Sequence, residues 1–271
     1  MSVPHNKNTH SNSPKITVLV TGANGQLGMT FQKFEMEYAQ LNFVFKYSDE
    51  LDITDGKSIA TVFKDIKPDY CINCAAYTNV EKAEEEPERA ILINAEAVLN
   101  LATICKEYQT TLIHISTDYV FDGKKTSPYT TEDVPNPINV YGASKLHGEL
   151  NIKKVLDHYF IIRTSWLYSK EFGKNFYKTI VALAKDKNEL AITDAQTGCP
   201  TDAVNLARFI LSLIVNKNND YGILHFSDKS VMSWYDFAKV ILRENNFQDV
   251  KLIKNNGYKT KAKRPPYSVL E

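Results

Sequence analysis

An α/β fold, a doubly wound parallel sheet with a smaller C-terminal domain, is predicted by three observations. Short β-branched runs alternate with longer amphipathic segments over residues 15–165, a glycine-rich turn joins the first run to the first amphipathic segment, and the alternation becomes irregular after Trp166. Strand–helix alternation places strands side by side in parallel and covers both faces of the sheet with helices. The elements follow in order. Strand-like runs at 16–21, 43–47, 70–75, 111–116 and 159–163 are each apolar and β-branched, and helical patterns at 26–39, 58–66, 89–108 and 141–156 lie between them. Beyond residue 166, helical patterns at 175–185, 204–215 and 234–244 are separated by strand-like pieces at 190–193 and 223–226. The expected division is a tail at 1–14, a larger domain at 15–165 and a smaller one at 166–271, with segments free to cross between the two. The tail is rich in Asn, Ser and His and has too little apolar surface to offset the entropy of ordering.

Composition narrows the function classes. The 271 residues carry 32 Lys+Arg against 32 Asp+Glu, and 43% are hydrophobic. A zero formal charge argues against nucleic acid as the main partner, because phosphate binding rests on a basic surface. No apolar stretch reaches bilayer length and the N-terminus has no signal-peptide core. No membrane partner is therefore expected, and the expected location is cytoplasmic. The four cysteines do not form a secreted-domain framework. Cys71 and Cys74 spell CxxC but sit in an apolar strand with no second pair to complete a zinc site, so no metal is expected.

The first chemical signal is Thr21-Gly22-Ala23-Asn24-Gly25-Gln26-Leu27-Gly28 at the first strand–helix junction. Glycines spaced GxxGxxG let the backbone turn tightly and approach a pyrophosphate, the third glycine permits close helix–strand packing, and the helix N-terminus supplies N–H donors. This is a Rossmann-like dinucleotide site, with Gly22, Asn24, Gly25, Gln26, Leu27 and Gly28 as its contacts. Phe45-Lys46-Tyr47-Ser48-Asp49, at the end of the second strand, carries neither a clear ribose carboxylate nor a clear 2′-phosphate arginine, which leaves NADPH and NADH both open. Asp52 and Ile53 lie where such folds often contact adenine; a helix N-terminal carboxylate is the equal alternative for Asp52. Ala75, Ala76 and Tyr77 end the third strand, where small side chains would let a cofactor lie on backbone.

The second signal is Tyr141-Gly142-Ala143-Ser144-Lys145 opening a helix. A spacing of four puts phenol and ammonium on one helix face, where the charge should lower the phenol pKa toward working pH for a general acid, and Lys145 can also hold the nicotinamide ribose. Ser116-Thr117-Asp118-Tyr119 stands at the C-terminal end of the preceding strand, where ligands of open α/β sheets collect. Thr117 would complete a Thr/Tyr/Lys set, although a strand-end turn explains that hydroxyl better in isolation.

With these motifs in place the chain resembles the dTDP-4-dehydrorhamnose reductase family of extended short-chain dehydrogenases. The resemblance runs from the Gly22 loop to Arg264-Pro265. It includes Asn73-Cys-Ala-Ala-Tyr-Thr-Asn-Val80, Ser116-Thr-Asp-Tyr-Val-Phe-Asp-Gly123, Asn139-Val-Tyr-Gly-Ala-Ser-Lys145, Arg163-Thr-Ser-Trp-Leu-Tyr168, Asn175-Phe176 and Gln196-Thr-Gly-Cys-Pro-Thr201. It implies reduction of the C4 ketone of dTDP-4-dehydro-L-rhamnose by a nicotinamide hydride, with Tyr141 as proton donor, Lys145 tuning it, and Thr117 touching both phenol and sugar. It also implies that Asp118, Trp166, Asn175 and Arg264 meet the dTDP-sugar. Trp166 follows the last strand of the larger domain, where a flat ring suits packing on a sugar or base; a domain-interface core residue is the equal alternative.

Some members of the family pair subunits through a metal held by carboxylates, but the corresponding places hold Thr30 and Val204. No such metal is expected, and a homodimer, if formed, is expected to use another route. Only four residues follow Tyr267, so the substrate domain is expected to be truncated at its C-terminus. Nucleotide-sugar dehydratases carry Glu where Tyr119 stands, so the elimination acid is absent. The short second half argues against an epimerase. A non-catalytic dinucleotide-binding subunit, resembling the regulatory subunit of methionine adenosyltransferase, is the rival from another class, and reduction of a different nucleotide-linked keto-sugar is the third reading.

Overall fold

The computed structural model describes residues 15–257 and 259–271, so the expected N-terminal tail lies outside the described residues. In chain order the first elements are β1 Ile16–Thr21, α1 Gln26–Lys33, β2 Leu41–Lys46, α2 Gly56–Ile66, β3 Tyr70–Asn73, α3 Val80–Ala83, α4 Pro87–Ile91 and α5 Ala97–Glu107. They are followed by β4 Thr111–Thr117, α6 Val140–Val155, β5 Tyr159–Thr164, β6 Leu167–Tyr168, α7 Phe176–Asp186 and β7 Glu189–Ile192. The last are β8 Thr197–Gly198, β9 Thr201–Asp202, α8 Ala203–Val215, β10 Gly222–Phe226, β11 Met232–Ser233, α9 Trp234–Glu244 and β12 Lys251–Lys254.

Six strands form one parallel sheet in the order β10-β5-β4-β3-β1-β2. Period-two alternation sends Val18, Val20, Ile72, Ile113, Phe160 and Ile162 to one face, where Leu27 and Phe31 of α1 and Leu206, Ile210 and Ile214 of α8 cover them. Leu19, Cys71, Leu112 and Ile161 point to the other face and meet Ile59 and Phe63 of α2, Leu101 of α5 and Ile152 of α6. Strands buried on both faces read as continuous apolar runs, and the doubly wound expectation follows from that. The chain leaves β1 toward β2 on one side and returns to β3 on the other. This reversal opens a crevice at the C-terminal strand ends, where such sheets bind ligands.

Two segments beyond Trp166, α8 and β10, lie with this sheet, β10 pairing beside β5. The remaining elements gather a separate cluster in which Tyr177 and Ile180 of α7, Phe237 and Ile241 of α9, and Leu190 of β7 pack together. Side-chain caps start several of these helices: Asp55 for α2, Asn139 for α6, Asn175 for α7 and Ser233 for α9 each accept from a first-turn N–H.

Two elements differ from the sequence expectation. The helical pattern expected over 26–39 is α-helix only to Lys33; a series of turns then continues to Leu41 while Phe34 and Tyr38 still pack on the core. Turn spacing of three to four residues mimics helical periodicity. The run expected at 89–108 is interrupted by a π-helical turn, Leu92–Glu96. Its Asn94 explains the bulge: the amide bonds both backbone groups of Tyr77 and the Ser144 hydroxyl, so the helix widens where that side chain leaves it.

Candidate active site

A cavity of about 630 Å³ opens over the C-terminal ends of β1, β3, β4 and β5, and the α7–α9 cluster closes its far side. Of the residues singled out from the sequence, Asn24, Gly25, Gln26, Leu27, Ala76, Thr117, Asp118, Tyr141, Lys145, Trp166, Asn175 and Arg264 line it. Gly22 and Gly28 lie behind it and shape the loop. Gly22 has φ +62°, and a Cβ there would fall 2.7 Å from the Ala75 nitrogen; a Cβ on Gly28 would fall 2.5 Å from the Gly22 carbonyl oxygen. Only glycine lets the loop lie this close to β3 and to its own helix, so the turn fits a pyrophosphate held by backbone N–H groups at the start of α1.

Gln26 plays a further part. Its Nε2 donates to the Leu167 carbonyl at 3.0 Å and its Oε1 accepts from Asn175 Nδ2 at 2.8 Å. Asn175 also caps α7 through the Lys178 N–H and donates to the Ser169 carbonyl. These two side chains thus latch the segment after Trp166 onto the glycine loop. Asp52, Ile53, Ala75 and Tyr77 do not line the cavity. Asp52 accepts from the backbone and hydroxyl of Thr54 while Asp55 caps α2, Ile53 is buried in the core, Ala75 abuts Gly22, and the Tyr77 hydroxyl donates to Glu86.

Tyr141 and Lys145 share a face of α6, as the spacing of four requires. The expected lowering of the phenol pKa is not what this structure shows. Burial raises Tyr141 above the ordinary tyrosine range, with the Thr117 hydroxyl opposing the rise by hydrogen bonding. The Lys145 Nζ turns to His114 Nε2, 3.2 Å away, rather than to the phenol. Burial lowers Lys145 to about 8, against the opposing pull of Glu149 one turn later. The phenol therefore carries its proton at neutral pH, as a proton donor must. Asp118 is buried and pushed up to about 7 by that burial; its Oδ1 accepts from Thr117 at 3.0 Å and its Oδ2 has no hydrogen-bond partner among the described residues.

Trp166 adopts φ +47°, outside the usual range for a bulky residue, and its ring stacks on Trp234 with centroids 3.5 Å apart and planes within 5°. Gly198 lies on the ring, since a Cβ there would meet it at 2.6 Å, and Gln196 accepts from Trp234 Nε1 at 3.0 Å. The Gln196–Thr201 motif thus holds the aromatic wall. Arg264 donates to the Tyr119 hydroxyl at 3.1 Å and to Glu81 at 2.8 Å, which fixes it on the cavity rim.

Sequence reasoning missed three groups. Trp234 lay in an unremarkable helix start. Glu149 extends the Tyr141, Lys145 row by another four residues, and that spacing was a usable signal; it forms a buried ion pair with Arg163 at 2.7 Å and accepts from Ser116. His114 interrupts the apolar run of β4 between Ile113 and Ile115, and a polar residue inside a buried strand is likewise a signal. Cys74 lines the cavity, and its thiol and that of buried Cys71 are both free. Thr30 is buried in the second half of α1 and donates to the Gln26 carbonyl, and Val204 packs on the core at the start of α8.

The RmlD substrate binding domain family matches residues 16–271. The chain belongs to that family. Among RmlD-family relatives, dTDP-4-dehydrorhamnose reductase of Aggregatibacter actinomycetemcomitans is 37% identical over 94% of this chain and 90% of its own length. The spore coat polysaccharide biosynthesis protein SpsK of Bacillus subtilis is 37% identical over 93% of this chain and 88% of its own. The crystal structure of dTDP-4-dehydrorhamnose reductase from Bacillus anthracis in complex with NADP is 39% identical and superposes with a TM-score of 0.91 over 95% of this chain and 90% of that one. No helix among the described residues is long and apolar enough to cross a membrane.

Proposed function

We propose that this RmlD-family chain reduces the C4 ketone of dTDP-4-dehydro-L-rhamnose to dTDP-L-rhamnose with NADPH or NADH, in the supply of rhamnose for surface polysaccharide. The observation that carries the reading is one cavity that joins a glycine turn closed to any side chain with a half-buried Tyr141 beside Thr117 and Lys145. Family membership and relatives named for this reaction support it.

The glycine loop and the α1 N-terminus would hold the pyrophosphate, and Lys145 the nicotinamide ribose. When bound, the cofactor supplies the hydride. The chain supplies the rest. Tyr141 would donate its phenolic proton to the carbonyl oxygen as negative charge develops there, and Thr117 would position the phenol. In this reading Trp166 would pack on the sugar or base, Arg264 and Asn175 would border the diphosphate, and Asp118 would lie beside the sugar on the cavity lining. The intact Thr117, Tyr141 and Lys145 favour an enzyme over a binding subunit.

The test is the loss of nicotinamide absorbance when the protein is mixed with dTDP-4-dehydro-L-rhamnose, with NADPH and NADH in parallel. Oxidation with either is expected. Its absence with both, alongside turnover of another nucleotide-linked keto-sugar, would move the assignment to that sugar.

A further inference from the structure

A row of buried polar residues crosses the sheet behind the cavity. Strand register sets Thr21 beside Asn73 and Asn73 beside His114, so three neighbouring strands present one polar residue each at the same level. Asn73 Oδ1 accepts from the Thr21 hydroxyl at 2.7 Å and from the Ala75 backbone N–H at 3.2 Å. Because the Ala75 N–H can only donate, the amide orientation is fixed and Asn73 Nδ2 faces His114 Nδ1 at 3.1 Å. An amide NH₂ is also only a donor, so Nδ1 must accept and bears no proton. The imidazole proton then sits on Nε2, because an imidazolium would set an Nδ1–H against the Asn73 amide. Nε2 lies 3.2 Å from Lys145 Nζ. An ammonium has three donors and no lone pair, whereas a neutral amine can accept from Nε2–H.

We propose that His114 is a positioning residue for the reductive site: locked by Asn73 in the Nε2–H tautomer, it holds Lys145 only as the neutral amine, and a proton gained from solvent releases Nζ toward the Tyr141 phenol and the cofactor ribose. Lys145 thus has two stations, and its charge decides between them. Burial keeps His114 well below the ordinary histidine range, which agrees with a neutral ring. The titratable and charged groups around the pair are Glu149 and Tyr141 on α6, Arg163 of β5 bound to Glu149, Cys74 after β3, and Asp118 after β4. Of these, Glu149 favours the ammonium, and Arg163 offsets much of its charge.

The inference rests on Lys145 serving the reductive site, and two measurements keep its failure separate from a failure of that reading. In the wild-type protein, ¹⁵N NMR of the assigned His114 ring is expected to show a bare Nδ1 and a protonated Nε2 around neutral pH; this readout needs no turnover, and the opposite tautomer would overturn the proposal. In the pH profile of kcat/KM, activity is expected to fall as pH rises through the Lys145 value, because the amine then stays at His114. Asn73→Asp replaces the donor facing Nδ1 with an acceptor, moves the ring proton to Nδ1 and lets Nε2 receive the ammonium, so the alkaline limb is expected to move up by about one pH unit. His114→Gln, whose amide offers the same acceptor and donor, is expected to keep the limb in place. An unmoved limb in Asn73→Asp overturns the proposal, and so does a ring proton that stays on Nε2 in that variant, because the added charge alone can move the limb without changing the tautomer.

Discussion

The two walls of the cavity are built by different means. The sheet-side wall is backbone and buried polar side chains: a glycine turn pressed against β3 and the Thr21, Asn73, His114 row ending at Lys145. The opposite wall is aromatic: Trp166 stacked on Trp234, Phe176 tilted against it, and Gly198 and Gln196 holding the pair. The glycine turn of the first wall lies against backbone that a side chain would displace, so it has little room to shift. The second offers flat apolar surface from one loop residue, Trp166, and from the first residues of α7 and α9, where a planar base or sugar can be accepted with fewer constraints. In the proposed reaction the sheet side would carry the chemistry and the cofactor and the aromatic side would select the sugar, so changes on each side should separate in kinetics.

The largest effect is expected from Tyr141→Phe. The phenol oxygen acts mainly as charge develops in the transition state, so kcat should fall by about 10²–10⁴-fold while NADPH affinity stays near that of the wild type. Stopped-flow turnover beside fluorescence titration of the cofactor checks both. Retained turnover would take the proton donor away from the sheet-side wall.

Next is Gly28→Ala. The added Cβ would stand 2.5 Å from the Gly22 oxygen and 2.7 Å from the Ala23 Cα, both backbone, so the loop must shift rather than a side chain. Overpacking of this kind costs about 1–3 kcal/mol, and if that cost falls on the bound loop, NADPH affinity drops by about 5–150-fold. Calorimetric titration with NADPH reads it directly. Unchanged affinity would mean that the loop tolerates displacement and that the sheet-side wall is less rigid than its contacts indicate.

Much of the sheet-side wall was legible because its physics is local. Glycine spacing, a Tyr–Lys pair four apart and strand-end hydroxyls each follow from turn geometry or helical periodicity, and the same periodicity laid out the doubly wound sheet. The aromatic wall was legible only at Trp166. Its partner Trp234 is 68 residues further on and meets it through packing between elements, which no local pattern encodes. Gln26 and Asn175 were read as ligand contacts, yet their side chains are occupied with each other across the cavity, a pairing invisible to residue spacing. The Tyr141 pKa departs from the sequence expectation for a related reason: proximity to Lys145 is readable in the spacing, whereas desolvation at the site and the competing His114 are not.

On the aromatic side, Trp234→Ala removes the face on which Trp166 stacks and frees Gln196. An aromatic pair contributes about 0.5–1.5 kcal/mol beyond its buried area, so KM for the dTDP-sugar should rise by roughly 2–12-fold with cofactor affinity unchanged. Steady-state kinetics with each ligand varied in turn checks this. An equal loss for both ligands would join the two walls into one cooperative unit.

The smallest effect tests how the walls are joined. The segment after Trp166 meets α1 through the Gln26 latch, which is partly buried, and through Lys33, which pairs with Glu171 and stands 5.9 Å from the Phe172 ring centre. Both partners of the ion pair are about half exposed, with side-chain accessibilities of 45% and 55%, so the pair is screened by solvent and salt. Lys33→Ala should therefore cost no more than about 1 kcal/mol of stability, a loss that shrinks as salt is added. Thermal unfolding at low and high ionic strength reads it, and kcat should stay within about twofold. A larger, salt-independent loss would place the joint at Lys33 rather than at Gln26, because only a desolvated contact resists screening.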